Sequence, residues 1–289
     1  MANRRKFIKQ VAAAGVAGSI PTVLFSWNKP SQPIRLLVRT DDMGNSWGRT
    51  LGMIKSYKEG IATSASIMPP SQFFEESVQL CKANPSLAVG LHITLLATRT
   101  RSVLSPELVP SILTSNGFFY ETLHELTNAN PKAEEMEREI RAQIGKARAS
   151  GLHFVYLDWH RAVPDVAREI IFRICQEQKL IFGQVRDGSI YGYERIPFIP
   201  EKFPSQILPD GQIAYYAAPA LTQEEQEIFY ERLNNLKPGK WAVVVHPGIA
   251  EPNRASVTEL LCSPRTKEII KRKNIQLVNY YDLWEKEYG

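Results

Sequence analysis

From residue 34 onward the chain alternates short apolar runs with longer amphipathic stretches, and that alternation limits the fold more than any other feature. Runs at 34–38, 65–68, 87–91, 154–157, 181–185, 241–245 and 275–278 read as strands. Stretches at 46–58, 73–83, 134–149, 166–178 and 222–236 read as helices. Gly151 is placed to close one helix, and Ser263-Pro264 opens another with an N-cap and a first-turn proline. Strand–helix repeats call for a parallel sheet covered by helices. The runs are continuously apolar, as strands buried on both faces should be. At 289 residues the pattern predicts an α/β fold of the β/α-barrel type, closed or incomplete, with an open doubly wound sheet as the alternative. The chain has no G-x-G-x-x-G and no Walker loop, which argues against a nucleotide-binding version. Stretches 97–130 and 187–221 read as long loops of the kind that shape a cleft.

The first 30 residues stand apart. Asn3-Arg4-Arg5-Lys6-Phe7-Ile8-Lys9 is basic, residues 11–25 are mildly apolar, and a Pro-rich polar segment follows. That order predicts a twin-arginine type signal peptide with a short linker over residues 1–30 and a single domain over 31–289, with an exported product and no stable membrane insertion. The segment also carries the charge. The formal net charge is +5, and Arg4, Arg5, Lys6 and Lys9 supply four of those charges. The remainder is nearly neutral and offers no electrostatic footprint for nucleic acid. Cys81, Cys175 and Cys262 form no C-x-x-C pair, so a thiolate zinc site is not indicated. One disulfide with a spare thiol and three separate thiols both remain open.

Polar residues collect where the apolar runs stop. Asp41-Asp42 follow the first run, His92 the third, Asp158 and His160 the fourth, Arg186 the fifth and His246 the sixth. In a parallel β/α fold all these strand ends open on one face, where active sites are built. Two imidazoles and a carboxylate can hold a divalent metal and leave positions free for water and substrate. Asp42, His92 and His160 supply that set. Asp41 is placed to act as a base, and His246 to protonate a leaving group. Tyr156, Asp158 and His160 share one strand face by the period of two, which suits Asp158 to orienting a histidine from behind. Each residue alone also fits a plainer role: a turn at Asp41-Asp42, hydrogen-bonded core histidines, a surface turn at Arg186-Asp187-Gly188. Their coincidence at strand ends favours a site. His124 and His153 lie elsewhere.

The order Thr40-Asp41-Asp42-Met43-Gly44, Gly90-Leu91-His92-Ile93-Thr94-Leu95, Asp158-Trp159-His160, Val185-Arg186 and Val245-His246-Pro247-Gly248 resembles the YdjC-like carbohydrate deacetylase family. Those proteins are β/α-barrel relatives of the polysaccharide deacetylases. The closing segment, from Arg265 through Ile275-Gln276-Leu277-Val278 to Leu283, is similar too, so the resemblance runs from Ile34 to the end. It implies a hydrolase that removes acetyl groups from N-acetylated mono- or oligosaccharides. It implies Asp42, His92 and His160 as ligands of one divalent metal ion, zinc first, with magnesium, cobalt, nickel and manganese as alternatives. It further implies Asp41 as base, His246 as acid and Arg186 beside the substrate. Many members read H-x-D-S-H-x-H-x-H at the third motif. Here Tyr156-Leu157-Asp158-Trp159-His160-Arg161-Ala162 lacks three of those histidines and places Trp before the ligand. Two other readings stay open: a different metal-dependent amide or ester hydrolase, and a non-catalytic carbohydrate-binding relative.

Overall fold

A computed structural model describes residues 32–186, 189–197, 205–207, 213–215 and 218–289. Side chains of 186, 205–207 and 213–215 are outside that description, as is the segment expected to be a signal peptide. Residues Gln32–Gly289 form one compact unit. In chain order the elements are β1 (Ile34–Met43), α1 (Trp47–Lys58), β2 (Ser64–Ile67), α2 (Phe74–Lys82), β3 (Ala88–Ile93), α3 (Leu123–Asn128), α4 (Ala133–Ala149), β4 (Tyr156–Trp159), α5 (Asp165–Gln178), β5 (Ile181–Phe182), β6 (Val185–Arg186) and β7 (Ser189–Ile190). Then follow β8 (Tyr193–Arg195), β9 (Ser205–Ile207), β10 (Ile213–Tyr215), α6 (Gln223–Asn235), β11 (Gly239–Val245), α7 (Pro252–Cys262), α8 (Pro264–Arg272), β12 (Gln276–Val278) and α9 (Tyr280–Tyr288).

The main sheet runs β5-β4-β3-β2-β1-β11-β8-β7-β6, with β12 beside the start of β1. It is a nearly closed barrel. Pairings from β5 round to β8 are parallel, and the remaining arc β8-β7-β6 is a small antiparallel meander. The run expected as one strand over 181–185 is therefore two. Ile181 and Phe182 pair with β4, while Val185 pairs with β7 at the opposite end of the sheet. The break falls at Gly183, where a Cβ would press on the Tyr156 ring and on the Leu157 carbonyl.

Side-chain parity sorts the barrel into two surfaces. Outward residues such as Leu36 and Val38 of β1 or Leu91 and Ile93 of β3 pack under the helices in two large apolar clusters. The inner surface is layered. Leu37, Ala88, Val155, Ala242 and Val244 form an apolar floor with Tyr156 and Tyr280. Above it the same faces carry Arg39 and Asp41 of β1, His92 of β3 and Asp158 of β4, all essentially buried. Both strand faces are buried, as the runs imply, but the inner face carries paired ions among its apolar side chains. Hydrogen bonds and ion pairs are what allow so polar an interior.

Two further helices, α7 and α9, lie in segments not read as helical, and α3 with its capping box lies in the stretch read as a loop. That stretch is fastened to α4. Buried Glu139 accepts from the backbone N–H of Val103 and Leu104, and Glu135 from that of Ser111. Gln143 of α4 accepts from Thr94 N–H and donates to Thr94 C=O, which pins the backbone just beyond His92. The three cysteines are unpaired, with Cys81 and Cys175 buried. Among the described residues no helix is long and apolar enough to cross a membrane.

Tyr156 stacks on Tyr280 with ring centroids 3.8 Å apart, and it has room only because residue 90 of the neighbouring strand lacks a side chain. A Cβ there would enter the ring. Gly90→Ala is expected to destabilise the protein by about 1–3 kcal/mol through overpacking, read as a drop in melting temperature, whereas Gly145→Ala, which meets open space, is not.

Candidate metal centre

Asp41 and Asp42 are neighbours on a strand, so a regular pleat would point them to opposite faces. The register between β1 and β2 shifts between Thr40 and Met43, and Asp42 sits at φ +80°. This bulge turns both carboxylates to the inner face. Gly44 follows at φ +90°, where a Cβ would also collide with the Ser71 hydroxyl. A left-handed aspartate at a strand end is costly backbone. Arg254 and Arg49 hold its Oδ2 at 3.0 and 3.4 Å.

The other oxygen of Asp42 faces the histidines. Oδ1 lies 3.0 Å from His160 Nδ1 and 3.4 Å from His92 Nε2, and the two rings meet edge-on at 5.3 Å. All three residues are buried, and the three donor atoms lie within 4.8 Å of one another. Donors bound at about 2.1 Å to a single ion stand roughly 3.0–3.4 Å apart, and both histidine nitrogens lie at that spacing from Asp42 Oδ1. A second group within the same limit, Asp41, His92 and Asp158, is already committed to other partners. Asp158 Oδ1 accepts from His92 Nδ1 at 2.7 Å, and its Oδ2 accepts from the Ser66 hydroxyl at 2.6 Å and pairs with Arg39 at 3.1 Å. That bond leaves Nε2 of His92 to face Asp42. Asp41 is gripped by both Arg39 Nε and Nη2, at 2.8 and 2.9 Å.

Burial would raise the Asp42 carboxyl, but His160 first, and His246 after it, hold it well below the usual carboxylate range, with His246 half-buried at the end of β11. Arg186 contributes backbone to β6, while its side chain is outside the described residues. Strand-end reasoning thus brought Asp41, Asp42, His92, Asp158, His160 and His246 to one end of the barrel. It passed over Arg39, Ser66, Arg49, Glu251 and Arg254. Arg39 had a readable signal: it shares inner parity with Asp41 inside an apolar strand. Arg254 had none, since α7 was not recognised.

A nearly closed β/α barrel with a buried Asp/His cluster at its strand ends defines a barrel protein equipped to hold a metal ion. The chain belongs to the YdjC-like protein family, whose model matches residues 35–272. A carbohydrate deacetylase of Brevibacillus brevis is 39% identical over 130 residues, which cover 45% of this chain and 50% of that one. Carbohydrate deacetylase 1 of Listeria innocua is 22% identical over 263 residues, 86% of this chain and 100% of the relative. A crystal structure from Enterococcus faecalis, described as a cellobiose-phosphate cleavage protein, superposes with a TM-score of 0.71 at 22% identity, covering 87% of this chain and 99% of that one. That likeness is one of fold.

The two histidines titrate in opposite directions. Burial lowers His160, whose imidazole is neutral down to about 4. Burial also opposes charge on His92, but Asp158 and Asp41 outweigh it and push the group up to about 10. An unfolded histidine titrates near 6.5. From 6.5 down to 4 the unfolded chain binds the His160 proton and the native state does not, so stability falls with pH. From 6.5 up to 10 the native state alone keeps the His92 proton, so stability falls as pH rises. Chelator-treated protein should melt at its highest temperature near pH 6.5, and His92→Gln should flatten the alkaline limb and, by removing the charge that helps to lower His160, also shorten the acid limb.

Proposed function

We propose that the protein is a metal-dependent carbohydrate deacetylase that releases acetate from an N-acetylated mono- or oligosaccharide. The observation that carries this reading is the convergence of Asp42 Oδ1, His92 Nε2 and His160 Nδ1 on one point at the strand ends, with Asp158 and Arg254 behind them. The carbohydrate deacetylases of Brevibacillus brevis and Listeria innocua supply the substrate class. Zinc suits two imidazoles and a carboxylate, and cobalt, nickel, manganese and magnesium are the alternatives.

A divalent ion held by the trio would supply Lewis acidity toward the acetyl carbonyl and would acidify water. The chain's own groups do the rest. Asp41 takes a proton from the attacking water. Its two contacts to Arg39 use one lone pair on each oxygen and fix the plane of the carboxylate, so the remaining lone pairs have a set direction. The water oxygen adds to the acetyl carbon, and the C–N bond then breaks. His246 gives its proton to the departing nitrogen. The products are acetate and an amino sugar. Arg186 is assigned to the substrate side of the mouth.

Residues 1–30 are assigned to export by a twin-arginine route. A reporter fused behind them should leave the cytoplasm and should stay inside when Arg4 and Arg5 are both changed to Lys.

The chemistry is tested by metal-loaded protein on a panel of N-acetylglucosamine oligomers, with acetate measured directly. Wild type should release acetate. Asp41→Asn should lose at least about 100-fold in turnover, the usual scale for a general base, while still binding sugar. No acetate from any acetylated sugar would sink the deacetylase reading, and equal turnover by wild type and Asp41→Asn would sink the role of the base.

A further inference from the structure

Arg254 uses every nitrogen of its guanidinium on a different partner. Nη2 donates to Asp42 Oδ2 at 3.0 Å, Nη1 to the backbone carbonyl of His246 at 3.3 Å, and Nε to Glu251 Oε2 at 3.1 Å. Arg49 repeats part of the pattern from the other side. Its Nε and Nη2 donate to the two oxygens of Glu251 at 2.8 and 3.2 Å, and its Nη1 reaches Asp42 Oδ2 at 3.4 Å. Arg49 lies in the first turn of α1, directly after the β1 bulge. Glu251 is the N-cap of α7 and Arg254 lies in that helix's first turn, directly after the loop led by His246. Glu251 therefore clasps two arginines from separate elements onto one carboxylate.

The charge of the clasp decides what it can do. Two guanidinium groups face two carboxylates, Asp42 and Glu251, so the cluster balances and offers no surplus for an anionic ligand. Arg254 is largely buried, its side chain 9% exposed, which ties it to these partners and not to solvent. The bonds that Arg254 and Arg49 make to Asp42 both fall on the one oxygen that turns away from the histidines. An oxygen that accepts from two guanidinium groups is not free to close a two-oxygen grip on an ion.

We infer that Arg254, backed by Glu251 and Arg49, is a positioning residue that restricts Asp42 to one-oxygen ligation and fixes the His246 backbone relative to that ligand. The inference rests on Asp42, His92 and His160 being the metal ligands. Arginine suits this role better than lysine because three donors in one plane can be satisfied at once.

The test uses full-length protein stripped with chelator and titrated with Co²⁺, followed by its visible d–d absorption. Wild type should bind one Co²⁺ and lose it in His160→Ala. Arg254→Met should bind Co²⁺ about 10–100-fold more weakly, the usual cost of losing a residue behind a ligand. Its band should shift in position and fall in intensity as the freed second oxygen raises the coordination number. Arg254→Lys should recover part of the affinity, and Glu251→Gln should lose less than Arg254→Met. Unchanged affinity and spectrum in Arg254→Met overturn the inference alone. If that variant does not fold, Arg254→Lys decides, because one ammonium cannot serve all three partners, and wild-type affinity and spectrum in it would overturn the inference equally. Failure of wild type to bind Co²⁺, or unaltered binding by His160→Ala, removes the ligand assignment and this inference with it.

Discussion

A guanidinium stands inside the barrel where a β/α fold of this type would ordinarily place an apolar side chain. Arg39 is 2% exposed, and desolvating such an ion costs several kcal/mol. The cost is offset because its donors are engaged: Asp41 on two nitrogens, Asp158 at 3.1 Å, the Gly183 carbonyl, and the Tyr280 hydroxyl at 3.4 Å. Burial alone would lower its pKa, but Asp158 and Asp41 outweigh that and raise it well above the usual value, so it is a permanent charge. Each contact has a structural result. Gly183 lies at the seam where the fifth strand ends, so Arg39 ties the first strand to the gap in the barrel. Asp41 is locked in plane. Asp158 is held where it accepts the hydrogen bond from His92 Nδ1. One guanidinium and two carboxylates also leave the layer short of one positive charge, which is why His92 holds its proton so strongly.

The bulge at Asp42 is the complementary device on the same strand. Arg39 works through regular alternation, two residues from Asp41 on the same face. Asp42 is brought to that face only by breaking alternation, at a backbone angle most residues avoid. The strain is opposed by the arginine clasp on one oxygen of Asp42. Adjacent residues can thus take separate tasks, one gripped by the interior arginine and the other by arginines from two helices.

The barrel was legible because its outer strand faces and the helix faces above them are apolar at regular periods. The site was legible because Asp41, Asp42, His92, His160 and His246 all end apolar runs. The parity of Tyr156, Asp158 and His160 was readable for the same reason. What escaped notice had physical causes. Apolar runs do not reveal that the inner face carries paired ions among its apolar side chains. The 181–185 run is continuous in composition, and its division falls at Gly183, packed against Tyr156 of the neighbouring strand. The seventh helix buries Arg254, Ser256 and Thr258 together with Val257, Leu260 and Leu261, which blurs the apolar stripe that marks a helix. Arg254, the residue that reads Asp42 most closely, was hidden with it.

The order in which these groups leave the ribosome follows from the pairing of the first strand. Asp42, His92 and His160 all precede residue 161, but β1 is flanked by Gly239–Val245 and Gln276–Val278, and Arg39 meets Tyr280. About 120 residues separate the last of the trio from that tyrosine. At roughly 5–20 residues per second, translation takes on the order of ten seconds to cover them. During that interval the three donors are already made, while the strand beside them, the clasp and the lower wall are not. The complete strand-end site is therefore a late product of synthesis, assembled only when the strands that flank β1 and the tyrosine that meets Arg39 have been made.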